Sequence, residues 1–161
     1  MDLILWRHAE AHDHPDVQTG RPGDETDMAR RLTARGEKQA SRMAAWLDRQ
    51  LPDGARIWSS PAVRCEQTAQ ALGRKFKLRE ELSPTGSAQA LLDLVQWPQQ
   101  GKSPVVVVGH QPTMGRVVAR LLGLRDDECS VKKGAVWWLR HRERDGIGQT
   151  VLVTVQTHEL L

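Results

Sequence analysis

Two stretches of the chain are apolar without interruption, Leu3-Ile4-Leu5-Trp6 and Val105-Val106-Val107-Val108. Runs of this length without polar alternation mark strands buried on both faces of a helix-covered sheet. Ala55-Arg56-Ile57-Trp58 reads as a weaker third strand. From Thr33 the period becomes helical: Ala40, Met43, Ala44 and Leu47 share one face, Thr33 suits the N-cap, and Leu51-Pro52-Asp53-Gly54 ends the element. Ser60-Pro61 reads as an N-cap with proline at N1, opening a helix through Val63, Ala69 and Leu72 that ends near Gly73. Ser87 caps a helix carrying Leu91, Leu92, Leu94 and Val95, and Pro112 opens one carrying Met114, Val117, Val118 and Leu121. Ala135 to Leu139 and Thr150 to Val155 read as late strands joined across Asp145-Gly146-Ile147-Gly148.

Strands alternating with helices predict a single α/β domain over residues 1–161. The expected architecture is a three-layer α/β/α sandwich with a largely parallel central sheet, its last two strands forming an antiparallel edge. A chain of 161 residues can bury one full core and needs no second. Residues His12 to Arg30, within a long loop at about 10–31, hold no periodicity and carry Pro15, Gly20, Pro22, Gly23 and several acids. A loop of that length in a compact domain is functional or mobile, and this one leaves the end of the first strand, where a lid or substrate-selecting loop would sit.

Composition narrows the class of protein. The formal charge of +3 suits an anionic partner, yet Lys and Arg are spread over helices that also carry Asp and Glu, unlike the basic stripe of a nucleic-acid binder. The first apolar stretch is too short for a signal peptide or a membrane span, so a cytoplasmic protein without a membrane partner is expected. Cys65 and Cys129 have neither CxxC spacing nor a neighbouring His at ligand spacing. A cysteine-phosphatase loop needs Arg six positions after the Cys, and those positions hold Ala71 and Ala135. His12-Asp13-His14 with Asp16 is a polar cluster of the kind water solvates, so no metal site is expected there. Trp137-Trp138 reads as one core and one edge residue of a strand, and Gly146-Ile147-Gly148 lacks the following helix of a dinucleotide loop.

The chemistry-bearing residues gather at strand ends. Arg7-His8 follows the first strand and His110 the run that ends in Gly109, and ligands of open parallel sheets bind beyond the carboxyl ends of the strands. Arg64 arrives from the first turn of the helix opened by Ser60-Pro61, so a guanidinium and helix N-terminal amides converge where phosphate is favoured. Arg7 and Arg64 can then hold nonbridging oxygens while a histidine attacks phosphorus. A nucleophilic histidine needs one ring nitrogen free of its proton and the other held by an acceptor, which His8 satisfies if its Nδ1 donates to a nearby carbonyl. His110 is expected to work protonated, as a donor to charge that builds on the phosphoryl oxygens.

Four segments in order, Arg7-His8-Ala9, Leu32-Thr33-Ala34-Arg35-Gly36-Glu37-Lys38-Gln39-Ala40, Ser59-Ser60-Pro61-Ala62-Val63-Arg64-Cys65-Glu66-Gln67-Thr68-Ala69 and Val108-Gly109-His110, resemble the histidine phosphatase superfamily. More narrowly, the short chain resembles the SixA-type phosphohistidine phosphatases. The resemblance implies the phosphoglycerate mutase-like fold, His8 as the nucleophile of a phosphohistidine intermediate, Arg7 and Arg64 as phosphoryl ligands, and His110 completing the pocket, with no metal or other cofactor. Arg30 is implied as a further phosphate ligand, although Arg31 replaces the usual proline beside it, and Ala9 replaces a common glycine. Larger relatives place a carboxylic acid after the third strand, which here implies Glu81 or its neighbour Glu80 as general acid, whereas the short SixA-type members are expected to do without one. The implied activity is that of a monomeric phosphatase acting on phosphohistidine in a protein. The alternatives are a small-molecule phosphomonoesterase with residues His12 to Arg30 as lid, and a noncatalytic module that binds phosphate or a phosphoprotein.

Overall fold

The apolar runs at Leu3 and Val105 become neighbouring strands at the centre of one sheet. The structure, a computed structural model, describes residues 1–99 and 101–161. Its elements are β1 (Asp2–Arg7), α1 (Glu25–Ala29), α2 (Ala34–Gln50), β2 (Arg56–Ser59), α3 (Val63–Gln70), β3 (Lys77–Leu78), α4 (Ala88–Val95), β4 (Val105–Gly109), α5 (Thr113–Leu122), β5 (Val136–Arg144) and β6 (Ile147–Gln156). The sheet order is β3-β2-β4-β1-β5-β6. The first four strands in that order pair in parallel, whereas β5 is antiparallel to β1 and β6 to β5. This is the expected three-layer sandwich with an antiparallel edge.

Side chains alternate across a strand, so each central strand feeds both layers. Leu3, Leu5, Val105 and Val107 pack with Leu91, Leu92 and Val95 of α4 and Met114, Val117 and Val118 of α5. Ile4, Trp6, Val106 and Val108 face the other way, onto Met43, Ala44 and Leu47 of α2 and Cys65 and Ala69 of α3. Register does the positioning: Leu3 pairs with Val105 and Arg7 with Gly109, so His8 and His110 leave the sheet side by side.

Thr33 caps α2 by accepting from the Gly36 amide, and Ser87 caps α4 by accepting from Ala90. Four local readings need correction. The N-cap of α3 is Ala62, not Ser60; the Ser60 hydroxyl accepts from the Ala62 amide at 3.2 Å just before the helix and also meets His110 Nε2 at 2.7 Å. The loop at 10–31 contains α1, capped by Asp24. A two-residue β3 follows α3. The last hairpin also runs further than the apolar pattern, with Arg144 paired to Ile147 around a tight turn at Asp145-Gly146.

The loop leaving β1 is pressed against the start of α2. Thr33 donates its amide to the Glu10 carbonyl at 3.1 Å and its hydroxyl to the Glu10 carboxylate at 2.8 Å. A β-carbon at Gly36 would overlap the Glu10 carbonyl oxygen, and the backbone has little room to retreat. Gly36→Ala is therefore expected to cost about 1–3 kcal/mol, lowering Tm by roughly 3–10 °C. Thermal unfolding checks this, and an unchanged Tm would mean that the contact relaxes freely.

Candidate active site

His8 is held at the end of β1 by backbone on both sides. Its amide donates to the Gly109 carbonyl at 3.1 Å, while the Gly134 amide donates to the carbonyls of Arg7 and His8 at 3.1 and 3.0 Å. Gly134 makes this approach with φ of +76°, a conformation that strains any residue carrying a β-carbon. The buried His8 ring donates from Nδ1 to the Ala9 carbonyl at 2.8 Å, leaving Nε2 as the unprotonated nitrogen. Burial first, and His110 next, hold its pKa well below the usual 6.5, so the ring is neutral at physiological pH.

His110 lies beside it, with ring centroids 5.4 Å apart. Its Nε2 is 2.7 Å from the Ser60 hydroxyl, and its Nδ1 accepts from Arg64 Nη2 at 3.3 Å. Burial, then the Arg64 charge, push the His110 pKa down to about 3. The ring is thus neutral in this arrangement, contrary to the protonated form expected from the sequence. The cationic groups around it outweigh the one nearby carboxylate, Asp27, and a phosphoryl dianion would supply the further counter-charge that a second proton on the imidazole needs.

Arg64, only 3% exposed, donates Nη1 to the Asp27 carbonyl at 2.7 Å and Nη2 to the Asp27 carboxylate at 3.3 Å. Asp27 in turn accepts from Arg30 Nη1 at 2.9 Å and from the Gly23 amide at 2.8 Å. Burial alone would raise its pKa, but the Gly23 amide and the two guanidinium groups outweigh that and lower it, so the carboxylate is ionised. Sequence reasoning missed Asp27. The available signal was Asp24-Glu25-Thr26-Asp27, an N-cap pattern inside an otherwise aperiodic loop.

Arg7 donates Nη1 to the Val131 carbonyl at 2.7 Å. The Nε–H groups of both Arg7 and Arg64 are buried without a partner. Unpaired buried donors are costly, and both arginines line one hollow, as they would in a site built for an anion. The hollow is about 350 Å³ and is lined by His8, His110, Arg7, Arg21, Arg30, Arg64 and Lys133, among others, with Asp27 its one carboxylate among the described residues. Five cationic side chains thus face a single acid. A larger hollow of about 920 Å³ between α2 and the turn His158–Leu160 holds none of these residues.

The structure brings together His8, Arg7, Arg64, His110 and Arg30 of the residues singled out in the sequence. It does not bring in Glu81, which is exposed and 3.5 Å from Arg79, or Glu80, which is also exposed; neither lines the hollow. His14 reaches the hollow's wall but spends Nε2 on Asp24 at 3.0 Å and Nδ1 on the Asp16 amide at 3.0 Å. No group of three or more His, Cys, Asp or Glu side chains is placed to hold a metal ion among the described residues. Cys65 packs in the core 3.5 Å from His110 Nε2, its thiol pushed up to about 12 by burial.

Both buried histidines link acidity to stability. The unfolded chain takes up their protons as pH falls through about 6.5, whereas the folded rings stay neutral. Stability is therefore full above that pH and declines below it, by about 1.4 kcal/mol per pH unit for each ring, down to about pH 3 for His110. Denaturant titrations across this range should show a shallower decline for His110→Asn than for the parent. Equal slopes would assign the acid loss to other groups.

This arrangement sits on the phosphoglycerate mutase-like α/β fold. The solved structure of the protein histidine phosphatase SixA complexed with tungstate superposes with a TM-score of 0.76 over 99% of each chain at 24% identity. A phosphoserine phosphatase from Entamoeba histolytica, in complex with phosphoserine, does so at 0.70 over 99% of this chain and 98% of its own at 21% identity. The chain belongs to the histidine phosphatase superfamily (branch 1), whose family model matches residues 3–85. It is similar to the phosphohistidine phosphatase SixA homolog of Haemophilus influenzae (strain ATCC 51907 / DSM 11121 / KW20 / Rd), at 31% identity over 78% of this chain and 80% of that protein. It is also similar to phosphohistidine phosphatase SixA of Escherichia coli (strain K12), at 32% identity over 75% of this chain and 74% of that one. No helix among the described residues is long and apolar enough to cross a membrane.

Proposed function

We propose that this phosphatase removes the phosphoryl group from phosphohistidine in a protein. In this reading the His8 Nε2 lone pair bonds to phosphorus as the bond from phosphorus to the substrate nitrogen breaks, and Arg7, Arg64 and Arg30 hold the nonbridging oxygens. Water then bonds to phosphorus and the electron pair of the P–N bond returns to Nε2. Phosphate leaves, and the water's proton goes to phosphate or solvent. The Ala9 carbonyl supports the positive charge that His8 carries between the two steps.

One observation carries the choice of leaving group: the sole carboxylate lining the pocket among the described residues, Asp27, is ionised and bound to two arginines. An alkoxide leaving from an ordinary phosphomonoester needs a proton from a nearby acid. A phosphoimidazole protonated on its other nitrogen departs as neutral imidazole and needs none. The small-phosphomonoester alternative draws its support from the loop carrying α1, whose Arg21, Pro22 and Asp27 wall one side of the hollow. A panel of a phosphohistidine protein, phosphoserine peptides and small sugar phosphates separates the two. The expected order in kcat/KM puts phosphohistidine first, and faster turnover of a sugar phosphate would replace this reading with the alternative.

A further inference from the structure

β3 is the outermost strand on its side of the sheet and has only two residues, so β2 is covered there only at Trp58 and Ser59. The surface around this edge is a groove of about 640 Å³ lined by Arg56, Trp58, Arg74, Lys75, Phe76 and Lys77, with no acidic side chain among its lining residues. Arg74 is fixed by Asp48 at 2.7 Å, while Lys75 and Lys77 are exposed. Edge lysines ordinarily guard a strand against pairing with a like copy, since equal charges repel. The opposite edge, β6, is ten residues long and carries no charged residue, so such guarding is not a general feature of this sheet.

We infer that the β2–β3 edge is a docking surface for an extended, acidic segment of a partner protein, which adds to the sheet beside β3 and sets its carboxylates against Lys75, Lys77 and Arg56. Backbone pairing along an open edge supplies affinity, and alternate side chains supply selectivity. The complementary charge is negative throughout the groove. Nucleic acid fits less well because Trp58 offers no free stacking platform: the guanidinium carbons of Arg56 and Arg79 each already lie 5.4 Å from its ring centroid. β3 runs parallel to β2, so the edge leads toward the end of the sheet where His8 and His110 emerge, and Pro84, six residues after Leu78, already lines the catalytic hollow. The inference does not depend on which phosphorylated substrate the site accepts.

The test uses the full chain, a short fluorescein-labelled peptide alternating glutamate with valine or threonine, and a short oligothymidylate as competitor. The peptide should bind at low salt and shift the backbone NMR signals of Arg56–Ile57 and Lys75–Arg79. It should bind about tenfold more weakly to a Lys75→Glu, Lys77→Glu variant whose hydrolysis of p-nitrophenyl phosphate is unchanged. Absence of binding, shifts confined to other basic surfaces, or tighter binding of the oligothymidylate would each overturn the proposal.

Discussion

Replacing His8 with alanine is expected to abolish both the phosphoenzyme and turnover, lowering kcat/KM by about 10⁴-fold or more, which is about 5 kcal/mol of transition-state stabilisation. The magnitude follows from chemistry that no neighbour can take over. His110 is 5.4 Å away between ring centroids, but its Nδ1 is engaged by Arg64 and its Nε2 by Ser60, so it has no free nitrogen aimed at phosphorus. Cys65 is nearby too, yet burial keeps it a thiol. Loading the protein with ³²P-labelled phosphohistidine substrate and quenching in alkali, where phosphohistidine survives, reads the intermediate directly. Label retained on His8→Ala would move the nucleophile elsewhere. Because the His8 side chain is buried and its pKa lies well below 6.5, kcat/KM of the parent should hold as pH drops through 6.5 and fall only at lower pH, as His8 gains its proton.

The second large effect comes from Arg64. Arg64→Met removes a guanidinium that lines the hollow, has an unpartnered Nε and holds Asp27 through the other two nitrogens. Turnover should fall about 10²–10³-fold through loss of phosphoryl stabilisation. Stability should fall as well, by about 3–5 kcal/mol, because a buried carboxylate loses one of its two cationic partners. The two losses have different remedies. Adding Asp27→Asn removes the uncompensated charge and should restore much of the stability, but it returns no donor to the phosphoryl group and should leave turnover low. Urea unfolding and steady-state kinetics on the single and double variants form a cycle that separates these roles. Recovery of turnover in the double variant would show that Arg64 acts only through Asp27.

The second of these effects runs through α1, the element that the sequence concealed. Hydrophobic periodicity reveals elements that bury an apolar face, which is why β1, β4, α2, α4 and α5 were legible from residues such as Leu3, Val105, Met43, Leu91 and Val117. α1 has five residues and buries only Asp27, so its docking energy is ionic and leaves no apolar stripe to read. β3 buries neither of its residues. The outer half of the β5–β6 hairpin, from His141 to Arg144 against Ile147 to Thr150, is exposed or nearly so and looks like loop when only burial is sought.

The candidate site followed the same division. His8, Arg7, His110 and Arg64 were legible because strand ends and a helix start carry them to one place. The state of His110 was not, since it depends on Arg64 arriving from a different segment to donate to its ring. The second role of Ser60 was hidden for a related reason, since its hydroxyl has a partner in His110 as well as the local Ala62 amide. Glu81 has the right place along the chain, but it turns to solvent and Arg79, away from the pocket.

The position of β1 has a consequence during synthesis on the ribosome. Its two neighbours in the sheet, β4 and β5, begin at Val105 and Val136, so the sticky segment Leu3 to Trp6 is translated long before either strand that will sandwich it exists. At ordinary translation rates that interval lasts for several seconds or more. Until then the nascent chain carries these apolar residues uncovered, suited to capture by holdase chaperones. Their covering awaits synthesis of β4 and β5, and the same late event seats His8 beside His110.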